Sequence, residues 1–171
     1  MNTRIWIALS LVILAAAARS IPHPANVSPI IAVALFSGAF FREKSWAILV
    51  PLLAMFISDL ALGFHDQMVS VYGSIVLVNL LGFALNQRRT AARVAAASIL
   101  GSLLFYAVTN FTVWNGSGMY SPTVKGLIQC YTMALPFLRN SLFGDLAFTG
   151  LLFGAWAITA RRESVPVRSQ I

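Results

Sequence analysis

Asp59, in I-S-D-L-A-L-G-F-H, and Asp145, in R-N-S-L-F-G-D, each break into an otherwise apolar run. A charged side chain in a membrane segment costs about 2.5–3.5 kcal/mol at the centre and less near the interface, so it faces the interior or a cavity and takes a partner. Arg19, Arg139 and His23 are the candidate partners. Three chemistries fit such a set. Arginines can pair an acidic group of a ligand, with the carboxylates orienting them or receiving an amine. Two carboxylates in different surroundings can act as an acid and a base. Alternatively, the charges pin loops to helices as buried ion pairs.

The stretch from Asn110 to Asp145 differs from the rest of the chain, mixing Asn, Gln, Tyr, Trp, Lys, Arg, Cys and Asp with Pro and Gly. A connection of this length is usually functional or disordered, and its aromatic and apolar content argues against disorder. We read it as a long folded outer loop, a lid between a fifth and a sixth helix. Trp114 lies in W-N-G-S-G-M-Y, beside a turn where a ring can close over a flat ligand. Anchoring at the headgroup level is the alternative. The candidate ligand-binding residues are Arg19, His23, Asn26, Asp59, His65, Asn110, Trp114, Tyr120, Gln129, Arg139, Asn140 and Asp145. His23, His65, Asp59 and Asp66 show no close His-x-His or His-x-x-x-His spacing, so neither a metal site nor a cofactor is expected. Cys130 reads as a small core residue. Asn79 reads as an interhelical hydrogen bond.

These residues need a frame, and the composition says which. Of 171 residues 58% are hydrophobic and 10% charged, and the mean hydropathy is +0.80. A soluble domain carries roughly 25% charged residues. The expectation is an all-α, polytopic membrane bundle of about six transmembrane helices, forming a single integral membrane domain over residues 1–171. Ile5 to Ala18 is read as a short retained helix, with a cleavable signal peptide as the alternative. Ser28 and Pro29 start a second run that ends at Phe41. Its Ala32, Ala34, Ser37, Gly38 and Ala39 permit close helix contact. Further runs cover Trp46 to Phe64, Met68 to Leu85, Ala92 to Thr109 and Asn140 to Thr159. Asp59 and Asp145 then each sit about one turn inside the outer end of a helix.

With six spans, alternate joins share a side. One side collects Arg4, Arg42, Lys44, Arg88, Arg89, Arg93, Arg161, Arg162 and Arg168, and the other only Arg19, Lys125 and Arg139. The positive-inside rule puts the larger group, and with it both termini, in the cytoplasm of an inner-membrane, multi-pass protein. Topology thus accounts for the net charge of +7, and no nucleic-acid partner is needed. The single cysteine excludes an intramolecular disulfide.

The segments R-S-I-P-H-P-A-N-V-S-P, I-S-D-L-A-L-G-F-H and C-Y-T-M-A-L-P-F-L-R-N-S-L-F-G-D resemble an uncharacterised family of small bacterial membrane proteins named only for transport. More distantly, the layout resembles the substrate-binding S components of energy-coupling factor (ECF) vitamin transporters, a likeness of architecture. That resemblance implies capture of a small, vitamin-like nutrient by the outer joins. It also implies docking to a transmembrane coupling protein driven by ATPases, through small residues of the first helix, for which Ala15 to Ala18 are available. Aspartyl intramembrane proteases resemble Y-D plus G-x-G-D, and here S-D and L-F-G-D stand instead, so no enzyme is expected. Nutrient uptake is the reading. A non-transporting scaffold and an intramembrane enzyme using Asp59 and Asp145 are the alternatives.

Overall fold

The computed structural model describes residues 3–22 and 24–163. It is all-α, with six helices: α1 (Thr3–Ser20), α2 (Ile30–Phe40), α3 (Lys44–Leu62), α4 (Met68–Ala84), α5 (Ala91–Gly116) and α6 (Val124–Glu163). At 1.5 Å per residue α2 is only about 17 Å long, whereas α6 reaches about 60 Å. Three segments are long and apolar enough to cross a membrane, Lys44–Leu62, Ala91–Gly116 and Val124–Ala160, and Leu9–Ser20, Ile30–Phe40 and Met68–Ala84 are shorter apolar helices.

The short helix is the centre. Every residue of α2 from Ile30 to Ala39 is buried. It touches all five other helices, which form an arc around it in the order α1, α3, α4, α5, α6. The arc does not close, because α1 and α6 make no contact among the described residues. Uniform burial explains why α2 is apolar on all sides instead of amphipathic.

Its tightest neighbour is α4, and the sequence says why. Small residues let two backbones approach closely. A Cβ at Gly82 would meet the Leu35 carbonyl oxygen at 2.5 Å, and one at Gly38 would meet the Asn79 carbonyl oxygen at 2.4 Å. Asn79 sits fully buried at this crossing. Its Nδ2 lies 3.0 Å from the Ala34 carbonyl, 3.0 Å from Ser37 Oγ and 2.8 Å from the Ala47 carbonyl, so one amide ties α4 to both α2 and α3. The interhelical role expected of Asn79 is the one observed.

Polarity is distributed as in a protein that meets lipid. Ser58, Asp59, Ser74, Asn79, Ser98, Ser102, Asp145 and Thr149 are buried, while Leu53, Phe56, Ile57, Leu60, Leu100, Leu103, Phe143 and Leu151 are exposed. An apolar exterior of this extent needs a hydrophobic medium or partner.

The lid expected between Asn110 and Asp145 does not exist as a loop. Helix α5 runs on to Gly116, and α6 begins at Val124. Polar side chains made this stretch look irregular, but several of them satisfy the helix's own carbonyls. Thr109 Oγ1 donates to Phe105 O (2.7 Å) and Asn110 Nδ2 to Tyr106 O (2.8 Å), each one turn back. Tyr106 and Tyr131 then clamp the two helices together, each donating its hydroxyl to a carbonyl of the other helix at 2.5 and 2.6 Å, with the rings edge to face. Because α6 starts at Val124 instead of near Asn140, Asp145 lies in mid-helix, not one turn from an end. Asp59 does lie in the last turn of α3.

The contact between α2 and α4 can be tested within one helix. Gly82→Ala should destabilise the protein by about 1–3 kcal/mol through overpacking against backbone. Gly73→Ala, whose Cβ meets nothing within 4 Å, should be neutral or stabilise by about 0.5–1 kcal/mol through helix propensity. Unfolding midpoints of the two variants in detergent give the comparison.

Candidate functional site

The two aspartates are each buried, and each has its own partners. Arg19, in the last turn of α1, places Nη1 3.2 Å from Asp59 Oδ1 and 2.9 Å from Ser58 Oγ, with the guanidinium against Met55 Sδ. The other carboxylate oxygen of Asp59 accepts the Tyr72 hydroxyl at 2.8 Å. His65 Nε2 stands 4.0 Å from the same oxygen, half-way to solvent. So α1, α3 and α4 are held by one carboxylate with a full set of donors. Of the candidate cations among the described residues, Arg19 pairs with an aspartate and Arg139 does not.

Asp145 is different. Its Oδ2 is 2.6 Å from Ser102 Oγ on α5, and no cation lies within ion-pair distance among the described residues. One turn away, Thr149 Oγ1 is 3.3 Å from Ser98 Oγ. Ser98 and Ser102 on α5 face Asp145 and Thr149 on α6, two pairs spaced four residues apart, so both ladders lie on the facing helix sides. This polar seam is buried throughout.

Between the two clusters lies a cavity of about 160 Å³. Each of the six helices supplies part of its wall: Arg19 from α1, Ile31 from α2, Met55 from α3, Val71 from α4, Phe105 from α5 and Asp145 with Ser141 from α6. Asn26 and Ser28, from the join between α1 and α2, complete it. That join is laid on α6. Asn140 Nδ2 donates to Ala25 O at 3.0 Å, Ser141 Oγ to Asn26 O at 3.4 Å, and Val27 packs so close to Gly144 that a Cβ there would meet Val27 Cγ1 at 3.1 Å. Asn26 adopts φ of 63°, a left-handed turn that asparagine tolerates better than most residues. The segment that covers the cavity is therefore the proline-rich first join and not the stretch after Asn110.

Of the residues singled out from sequence, Arg19, Asn26 and Asp145 line this cavity, and Asp59, His65 and Asn140 support it from behind. His23 lies outside the described residues. Asn110 is spent on helix α5 and accepts the Cys130 thiol at its carbonyl, 3.5 Å away, which leaves Cys130 a buried packing residue. Trp114 donates its Nε1 to Ser121 O at 3.0 Å and packs on Phe111, closing the turn between α5 and α6. Tyr120 is in that turn, and Gln129 is exposed on α6. Arg139 lies beside an apolar surface of Leu135, Leu138, Leu142 and Phe143, away from both aspartates. Sequence reasoning missed Tyr72 and Ser102. Tyr72 carries no local signal, but the Ser98/Ser102 and Asp145/Thr149 spacings match and were there to be paired. Among the described residues no group of three or more His, Cys, Asp and Glu could hold a metal ion.

Removing Arg19 strands a buried carboxylate, and removing one partner of such a pair costs about 3–5 kcal/mol. Arg19→Met should therefore lower the unfolding free energy by about that amount, and Arg19→Met/Asp59→Asn should recover about half of the loss. His65→Ala should cost under about 1 kcal/mol, as for an exposed pair. Denaturant titrations in one detergent would read all three.

Comparison with curated proteins and with solved structures finds no match. A family match covers residues 1–167, nearly the whole chain. The chain belongs to the family of unknown function DUF6580.

Proposed function

We propose that this protein captures a small polar nutrient from the outer side of a bacterial inner membrane, in the cavity between Arg19 and Asp145, and serves its uptake. The observation that carries the reading is the convergence of all six helices on one cavity, with a guanidinium and an unpaired carboxylate in its wall. Burying a carboxylate without a cation is costly. A ligand bearing an amine or a strong donor would offset that cost at Asp145, while its acceptor end met Arg19, whose planar donor fork suits carboxylate and phosphate groups.

Size narrows the class. Pockets for drug-sized ligands run to about 300–1,000 Å³, and this one is about 160 Å³. The solute is therefore nearer an amino acid than a multi-ring vitamin. In this reading the carboxylates bind and orient, and do no catalysis. The excess of Lys and Arg at the joins after α2 and α4 supports a cytoplasmic side for those joins, with the cavity on the opposite side in this reading. The likeness to S components adds a separate ATP-driven coupling protein as the partner that moves the solute inward.

Two measurements follow. Detergent-purified protein should retain a small zwitterionic or polar solute in native mass spectra, and amino-acid-sized compounds should raise its melting temperature where larger vitamins do not. Asp145→Asn should weaken that protection at least about tenfold, the loss of one charge-assisted contact. If no solute is retained and none protects, the protein is a scaffold and this reading fails. In a Cys130→Ser background, Lys125→Cys should label with an impermeant thiol reagent from outside intact cells, and Gln87→Cys only after lysis.

A further inference from the structure

At the other end of the bundle, where α2 and α4 terminate, a second and larger groove of about 500 Å³ opens between the start of α5 and the last third of α6. The two helices are joined by hydrogen bonds at Tyr106–Tyr131, Ser102–Asp145 and Ser98–Thr149, and by none beyond Thr149 among the described residues. There they part. The floor is aromatic: Phe40 lies 5.4 Å from Phe153 and 4.6 Å from Trp156, ring centre to ring centre. Gly150 and Gly154 leave the α6 side open, since a Cβ at either would meet nothing within 4 Å.

Arg89 stands over this floor. Its guanidinium carbon is 4.3 Å from the centre of the Phe40 ring, and its Nη2 donates to Ala39 O at 2.6 Å and to Asn86 Oδ1 at 2.7 Å. That anchors one nitrogen and leaves Nη1 and Nε with no partner among the described residues, where no carboxylate pairs with Arg89. Partial burial pulls its pKa below the ordinary arginine value, while the side chain stays exposed at the edge of the groove. Arg88 and Arg93 are exposed beside it, and the first turn of α5 carries no acidic residue. A guanidinium fixed above an apolar, aromatic trough, with two of its nitrogens unpartnered among the described residues, asks for a ligand with an anionic head and an apolar tail.

We propose that this groove is a binding site for an anionic phospholipid, with the headgroup phosphate on Arg89 and an acyl chain laid along Gly150 and Gly154 against Phe153. Charge complementarity selects the headgroup: Arg89 lines the groove, and its near neighbours in the chain, Arg88 and Arg93, are exposed cations, so a zwitterionic lipid gains less there than an anionic one. Trp156, 37% exposed at the rim, has the amphipathic ring favoured at the headgroup level. The site is at the opposite end of α2 from the Arg19–Asp145 cavity and does not depend on what that cavity binds.

The test uses the full-length protein in mild detergent, with phosphatidylglycerol and phosphatidylcholine of identical acyl chains, and inorganic phosphate alone. Native mass spectrometry should show phosphatidylglycerol retained at least about tenfold better than phosphatidylcholine, and only the former should raise the melting temperature. Gly154→Leu adds bulk to the trough wall at a position where the new Cβ meets nothing within 4 Å, so it should abolish retention while leaving the unliganded melting temperature unchanged. Arg89→Gln should reduce the preference for the anionic lipid to near unity. Equal retention of both lipids overturns the proposal. So does equal protection by inorganic phosphate, or undiminished binding by folded Gly154→Leu protein.

Discussion

A helix of eleven residues buried on every side cannot be held by amphipathic packing, and what holds α2 is backbone-to-backbone contact with α4. Gly38 and Gly82 face each other there, and neither has room for a methyl group. Asn79 converts that closeness into specificity. A buried amide nitrogen without acceptors is expensive, so the bonds of Asn79 Nδ2 to Ala34, Ser37 and Ala47 fix both the rotation and the height of α2 against α3 and α4. The other helices are arranged around that fixed centre. Among the described residues the arc of five does not close between α1 and α6, and the cavity takes part of its wall from each of these two helices.

The two aspartates show how the same residue type can be given different tasks by its neighbours. Asp59 is saturated: a guanidinium, a tyrosine hydroxyl and a nearby imidazole surround it. Such a group holds structure together, here by tying the end of α1 to α3 and α4. Asp145 has one serine and a cavity. A buried carboxylate with one serine partner among the described residues has capacity to spare, and on that contrast, more than on the count of polar residues, the proposed binding role rests.

Much of this was legible from the residues. Helices α3 and α4 begin and end within two residues of the runs read from hydropathy, because Gly63 and the N-Q-R-R segment are unambiguous stops. The small residues of α2 announced close packing, and Arg19 was among the partners named for the aspartates. The long polar interval after Asn110 was misread for a physical reason. Composition reports the polarity of side chains, whereas helix continuation depends on whether backbone groups are satisfied. Here Thr109 and Asn110 bond to their own helix, and Tyr106 and Tyr131 bond across to the next. Tyr72 could not be placed from sequence, since nothing local relates it to Asp59 thirteen residues earlier.

The join between α1 and α2 rests on Asn140, Ser141 and Gly144, with hydrogen bonds that span 115 residues of chain. A ribosome adds about 5–20 residues per second, so the early segment waits roughly 6–23 seconds for the late helix on which it comes to rest. Until then the space behind Arg19 has no roof and no Asp145. The proline-rich turn is thus made some 115 residues ahead of the helix on which it finds its place, and a ribosome stalled before α6 leaves a chain with Arg19 and Asp59 present but nothing enclosed between them and the missing wall.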